Sequence, residues 1–181
     1  MTQWTIGPDA GELLLHTGVT GSASRMGHRL TIAMRSWRAT ISWADDRPSA
    51  VEVTVDLDSL EVLRGEGGMT PLSGAEKVLI RTNALKTLRA KRFPQAVFRS
   101  TGITGGDDAY RITGDLEIAG HRATQTVEVR VEADGPWRVS GEAQVRHSDF
   151  GIKQYSMLMG AMKVADEVRV TFAATVAGDA G

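Results

Sequence analysis

The 181-residue chain contains no cysteine. Disulfides, thiolate metal sites and a cysteine nucleophile are therefore excluded. No apolar run approaches the roughly 18 residues of a membrane-spanning helix. The opening stretch, Met1 to Ile6, has neither the basic nor the apolar region of a secretory signal. The chain is accordingly expected to be cytoplasmic, with a periplasmic or secreted place only if a leader has been removed. Neither sign of charge dominates: 21 Lys and Arg stand against 22 Asp and Glu, for a net charge of −1. That balance gives no footprint for nucleic acid. The Gly-x-Ser-x-Gly elbow of serine hydrolases is missing. Gly65-Glu66-Gly67-Gly68 lacks the Gly-Lys-Ser/Thr ending of a phosphate-binding loop. Asp149-Phe150-Gly151 matches the metal-binding tripeptide of protein kinases, but no catalytic loop accompanies it. No internal repeat or linker divides the sequence. One domain over residues 1–177 is expected, with a short disordered tail at 178–181.

What the chain has instead is alternation of period two. Tyr110, Ile112, Gly114, Leu116 and Ile118 share one face, with charged and polar residues on the other. Val127, Val129 and Val131 follow the same rule, as do Trp137 to Val145 and Val168 to Val176. Leu13 to Leu15, Val51 to Leu57 and Phe98 to Gly102 are shorter examples. From Leu30 to Trp43 the pattern runs on but changes parity near Arg35-Ser36, which predicts a β-bulge in one long bent strand. These are eight strand candidates, each with one apolar face. A closed eight-stranded antiparallel barrel satisfies them and leaves no free edge.

The exception lies near residues 72–90. Leu72, Val78, Leu79, Leu85 and Leu88 recur near helical spacing. Ser73 with Glu76 three residues on has the capping-box pattern, and Pro94 prevents continuation. One helical insertion is predicted, with Arg81, Arg89, Lys91 and Arg92 on its solvated face or in contact with a membrane. Gly65, Gly67 and Gly68 suggest a flexible loop before it.

An eight-stranded barrel is either filled by side chains or just wide enough for one small ligand. Gly114, Gly141, Ala143 and Ala174 fall at inward positions and leave volume, unless Trp137, Phe98 or Phe172 fills it. His28 suits a turn histidine bonded to backbone, or a polar anchor for a headgroup at a mouth. His147 and Asp149 are spaced to share a strand face, for a proton or a metal, or merely as a surface pair. No third metal ligand lies near them. The segment Tyr155 to Lys163, with Met157, Met159 and Met162, suits a pliable lid or ordinary packing.

Four segments together resemble the YceI-like family, lipocalin-like polyisoprenoid-binding proteins. They are Gly27 to Ile32, Arg92 to Thr101 with its aromatic-Pro and Phe-x-Ser pattern, Gly114 to Gly120, and Ser148 to Ile152 with Asp-Phe-Gly. The resemblance runs from Trp4 to Val170. It implies an extended lipocalin-like barrel and an internal apolar pocket for an isoprenoid or similar long-chain amphiphile.

The expected function is carriage or sequestration of a polyisoprenoid, isoprenoid quinone or fatty-acyl lipid, with no cofactor and no catalytic residue. The expected contacts are His28 and Trp37 near the mouth, Phe98, Leu116, Val145 and Phe150 along the wall, and Met157 and Met159 at the lid. Two alternatives stand beside it. One is an enzyme on a hydrophobic substrate with His28 or His147 as base. The other is a stress-related interaction protein, a homodimer using exposed Trp4 and Trp43.

Overall fold

The computed structural model describes residues 2–177, so the tail expected to be disordered lies outside the described residues. In chain order the strands are β1 (Thr2–Ile6), β2 (Gly11–His16), β3 (Val19–Thr20), β4 (His28–Met34), β5 (Trp37–Ala44), β6 (Arg47–Asp56) and β7 (Leu60–Gly67). Helix α1 (Gly74–Thr87) follows. Then come β8 (Gln95–Gly106), β9 (Ala109–Ile118), β10 (His121–Glu132), β11 (Trp137–Arg146), β12 (Ser156–Met157), β13 (Met162–Val164) and β14 (Glu167–Val176).

Eleven strands form one antiparallel sheet in the order β1-β5-β6-β8-β9-β10-β11-β14-β2-β4-β7. The sheet is strongly curled into a half-barrel, not the closed eight-stranded barrel expected from the alternation. Among the described residues no ladder joins the edge strands β1 and β7. The extra strands have identifiable origins. The long bent strand is two, β4 and β5, and the sequence reading passed over β1 and β7. Gly65 and Gly67 belong to β7 rather than to a flexible loop. A Cβ on Gly65 would stand 2.6 Å from Leu72 Cδ1 and 2.9 Å from the His28 Cβ. Crowding, not mobility, requires glycine there.

The change of parity at Arg35-Ser36 is a corner rather than a bulge. β5 pairs with β6, and β4 pairs with β7. The 3₁₀ turn Leu57–Ser59 turns the second strand of this ribbon beside the first. The backbone N–H of Arg35 donates to Ser59 O at 3.2 Å, and that of Asp56 to Ser36 O at 3.0 Å. One two-stranded ribbon thus bends from one flank of the sheet to the other, and this covalent corner curls the sheet. Ile6, Leu13, Met34, Trp37, Ala39, Leu57, Leu60, Ala96 and Ala174 pack into a buried core around it.

Helix α1 begins where the capping box places it. Glu76 N–H donates to Ser73 Oγ at 3.1 Å, and Ser73 N–H to Glu76 Oε1 at 3.2 Å. Two of the unpaired donors of the first turn are thereby satisfied, worth about 1 kcal/mol. The hydrogen bonds at Ser73 also hold the Glu76 carboxyl below its usual range. The helix covers the free edge of β7. Arg81 is not solvated as the sequence suggested: its guanidinium donates to Leu60 O at 2.9 Å and to Asp58 O at 2.5 Å, pinning α1 to the corner.

A second, three-stranded sheet (β12-β13-β3) lies over the opposite end. Gly27 and Gly21 let it close down. A Cβ on Gly27 would meet Met162 Sδ at 2.8 Å, and Gly21 (φ +103°) passes against Ala161 O.

Candidate functional site

The concave side of the half-barrel encloses a cavity of about 680 Å³, inside the roughly 300–1,000 Å³ of small-molecule pockets. Period two supplies its wall. Leu30, Ile32 and Met34 of β4 and Ala39, Ile41 and Trp43 of β5 face it with opposite parity, as the corner requires. Val51, Val53 and Val55 come from β6, Val127, Val129 and Val131 from β10, and Val168, Val170 and Phe172 from β14. Leu72, Leu79, Ile80, Ala84 and Leu88 close the side that the sheet leaves open.

The two ends differ. At one, Trp4, Trp43 and Trp137 meet from three strands, with centroids 4.7 Å apart for Trp4–Trp43, 5.4 Å for Trp4–Trp137 and 6.3 Å for Trp43–Trp137. Each such pair contributes about 0.5–1.5 kcal/mol beyond area burial. These contacts stitch the free edge strand β1 to the far side of the sheet. Trp4 and Trp43 also line the cavity, which removes the argument for them as an exposed dimer face.

At the other end the lining becomes polar. His28, Glu76, Asn83, Thr87, Arg146, His147, Tyr155 and Lys163 reach it there. Asn83 Nδ2 donates to Tyr155 Oη at 3.1 Å, linking α1 to the segment beneath the small sheet. His28 Nε2 lies 2.6 Å from Thr70 O. His28 is thus bonded to backbone, as the first reading has it, and it lines the cavity at this polar end. Met26, Leu79 and Met157 line the cavity yet are about half exposed or more, so the rim is apolar on both sides.

Six of the eight expected contacts are brought together along this cavity: His28, Phe98, Leu116, Val145, Phe150 and Met157. Phe150 is 1% exposed and packs with Ala119 and Ile152. Trp37 and Met159 are not part of the lining. Trp37 is buried in the core at the corner, edge-on to Phe172 with centroids 5.3 Å apart. It opens β5, just past the corner, while His28 opens β4, whose six steps to Met34 at the corner span about 20 Å, so the two do not share a mouth. Met159 is 108% exposed on a left-handed turn (φ 55°).

The small inward residues also divide. Gly141 and Ala143 line the cavity. At Gly114 the space is already filled, because a Cβ there would stand 2.7 Å from Phe98 Cζ and 2.3 Å from Arg99 O. Ala174 is packed into the core against Gly11.

His147 and Asp149 do not share a strand face. They sit in the 3₁₀ turn His147–Phe150, where Asp149 is exposed and His147 Nδ1 lies 2.8 Å from Asp166 O. Asp166 is the carboxylate this turn uses. Ser148 donates to it from its backbone N–H and its hydroxyl, at 2.8 and 2.6 Å, and these bonds hold its carboxyl below the usual range. Of the remaining histidines, His16 bonds Thr171 Oγ1 at 2.9 Å, and burial, then Arg169 and Arg64, lowers its pKa. His121 Nδ1 lies 3.2 Å from Ala119 O. Among the described residues no three His, Asp or Glu side chains converge on a point that could hold a metal ion.

Several lining residues escaped the sequence reading, Asn83, Thr87 and Arg146 at the polar end and Gln125 in the wall. Gln125 has the inward parity of Val127, Val129 and Val131 and is 9% exposed. Extending that alternation by one step would have found it.

Comparison with known proteins agrees with this architecture. The crystal structure of BcnA from Burkholderia cenocepacia has a TM-score of 0.68 at 21% identity, covering 92% of this chain and 96% of that one. A polyisoprenoid binding domain from Saccharophagus degradans, implicated in plant cell wall breakdown, has a TM-score of 0.61 at 11% identity, covering 97% and 98%. At these identities the likeness is one of fold. Protein YceI of Escherichia coli O157:H7 is 27% identical over 128 residues, 66% of this chain. Protein YceI of Salmonella arizonae is 27% identical over 127 residues, 65% of this chain. The chain spans 61% of the length of these curated relatives. Residues 4–176 match the YceI-like domain, and the chain belongs to that family.

Proposed function

We propose that this protein binds one long apolar amphiphile, a polyisoprenoid, isoprenoid quinone or fatty-acyl lipid, inside the half-barrel and carries or sequesters it. The observation that carries this reading is the cavity of the half-barrel, with a mainly apolar lining that becomes polar at the end opposite Trp4 and Trp43. An amphiphile has the same asymmetry. Its tail lies between the Trp4–Trp43 end and the middle of the lumen, and its polar part lies toward His28, Asn83 and Tyr155. Each buried CH₂ contributes about 0.8 kcal/mol, so ten carbons give roughly 8 kcal/mol gross. That lies within the association cost of about 4–15 kcal/mol, and a longer chain exceeds it. Affinity in this scheme needs no reacting group. The Saccharophagus degradans relative, described as polyisoprenoid binding, supports the ligand class.

The rim supports a route of loading. Met26, Leu79 and Met157 border the mouth and Leu158 and Met159 are exposed nearby in the chain, where Lys77 and Lys163 also lie. We read this as the face that touches a lipid surface transiently while the ligand passes.

The test is mass spectrometry of protein purified from its natural host, native and after organic extraction. A stoichiometric long-chain lipid or quinone is expected. A clean apo mass, with no uptake of added isoprenoid quinones or fatty acids, would overturn the reading and favour an interaction protein.

A further inference from the structure

Strands β10 and β11 do not pair along their full length. Their ladder runs only from Glu132↔Arg138 to Glu128↔Glu142. On the other sides, β10 stays paired with β9 as far as His121↔Ile118, and β11 with β14 as far as Arg146↔Glu167. Beyond Glu128 the two strands therefore splay, and their facing carbonyls lose their ladder partners. Gln125 fills the breach. Its Nε2 donates to Gln144 O at 2.9 Å and to Thr126 O at 3.1 Å.

Two carbonyl acceptors fix which end of the amide is nitrogen, because the amide oxygen has nothing to donate to them. Both Nε2 hydrogens are then committed. Oε1 is left as a pure acceptor, and among the described residues no group donates to it. It is not sealed in, however. Among the described residues, the buried side-chain nitrogen and oxygen atoms without partners are the indole nitrogens of Trp37 and Trp43, and Oε1 is not one of them. Oε1 thus keeps open surface on a residue that is nine-tenths buried and lines the cavity.

We propose that Gln125 is a specificity-determining contact, accepting a hydrogen bond through Oε1 from an O–H or N–H group on the bound amphiphile. The proposal rests on the reading of the cavity as an amphiphile site and narrows it. An apolar chain that fills the lumen displaces water from Oε1, and a buried acceptor left unmet weakens binding. A donor on the ligand restores the bond. The ligand class becomes prenyl alcohols, prenylated phenols and hydroquinones, or N–H-bearing lipids, in preference to hydrocarbons, ethers, esters and quinones. The position suits a head placed just inside the mouth. From Gln125 to Val131 the wall continues for six residues of β10, about 20 Å of strand, which leaves room for the tail.

The test compares geranylgeraniol with its methyl ether, which differ in the donor alone, by competition against a fluorescent fatty-acid probe. Wild-type protein is expected to bind the alcohol about tenfold more tightly, a difference of about 1.4 kcal/mol. Gln125→Met is expected to bind both alike, because it leaves no Oε1 for the alcohol to meet or for the ether to leave unmet. Equal binding of the two ligands by wild-type protein would overturn the role of Gln125 while leaving the cavity reading intact. Binding of neither would overturn the cavity reading itself. Gln125 also bridges the splayed strands, so the wild-type comparison decides the question even if Gln125→Met does not fold.

Discussion

Two glycines on inward positions of the sheet, Gly114 and Gly141, are expected to respond in opposite ways to the same substitution. Neither has a positive φ, so an alanine meets no backbone penalty at either. At Gly141 a new Cβ would lie 3.5 Å from Glu128 O and 3.7 Å from the Val127 and Val129 methyls, ordinary contact distances. There Gly→Ala removes freedom from the unfolded chain and should stabilise by about 0.4–1 kcal/mol. At Gly114 the same atom would stand 2.3 Å from Arg99 O and 2.7 Å from Phe98 Cζ. The carbonyl belongs to the paired strand β8 and cannot yield without moving the ladder. Overpacking of this kind costs about 1–3 kcal/mol. For a chain of this size a change of 1 kcal/mol moves the Tm by roughly 2–4 °C. Gly141→Ala should therefore rise by about 1–4 °C and Gly114→Ala fall by about 2–12 °C. Urea unfolding followed by tryptophan fluorescence and circular dichroism would check both, with unchanged slopes showing that the fold is kept. If Gly114→Ala proves as stable as wild type, Phe98 does not fill that space, and the division of the small inward residues into filled and open ones is wrong.

Other perturbations separate the parts of the molecule. Ala143→Phe, which projects into the lumen, should weaken uptake of a fluorescent fatty-acid probe at least about tenfold, the size of a lost apolar contact in a pocket, while circular dichroism stays that of wild type. Ser73→Ala should lower stability by about 1 kcal/mol, and hydrogen exchange should locate the loosening in the first turn of α1. Asp56 accepts from Ser36 Oγ at 2.5 Å and from Gln95 Nε2 at 2.9 Å, and these bonds, Ser36 first, hold its carboxyl below the usual range. Its contribution is thus present above the unfolded-state pKa of about 3.9 and is lost as pH falls through the lower folded value. Asp56→Asn should cost about 1 kcal/mol at pH 7 and progressively less toward acid, read from urea midpoints across the range. Leu79→Ser with Met157→Ser should reduce co-sedimentation with phosphatidylglycerol vesicles, and salt should weaken wild-type association if Lys77 and Lys163 assist.

The sequence rules that succeeded are local ones. Ser73 and Glu76 satisfy each other within one turn, so the start of α1 is written in four residues. Inward parity needs only the strand itself, and it places Phe98, Leu116 and Val145 on the lumen without knowledge of any partner strand. The failures all turn on partners distant in sequence. A parity switch at Arg35-Ser36 is the same whether the strand bulges or turns a corner, and only the separate pairings of β4 with β7 and β5 with β6 distinguish them. Gly65 resembles a loop residue until Leu72 and His28 are seen to crowd it. Trp37 faces inward as its parity requires, but parity does not say which end of a strand is open. The corner assigns Trp37 to the core and leaves the mouth to His28.

The same limit governs the lumen. The number of small inward residues is a poor measure of cavity volume, because each counts only when no ring from another strand occupies it. Phe98 claims the space over Gly114, and the core claims Ala174, whereas nothing reaches over Gly141 and Ala143 from across the sheet. The open pair both lie on β11, Gly141 at the last paired stretch and Ala143 just past it, where β11 parts from β10. The void thus borders the splay, and the residue that spans the splay is Gln125. A fully paired ladder there would have satisfied the carbonyls of Thr126 and Gln144 without help from any side chain. Because the strands part, a polar side chain must enter an otherwise apolar wall to satisfy them, and it brings a free acceptor into the lumen. The polarity of the binding site at that point is therefore a consequence of how the sheet opens to make the site.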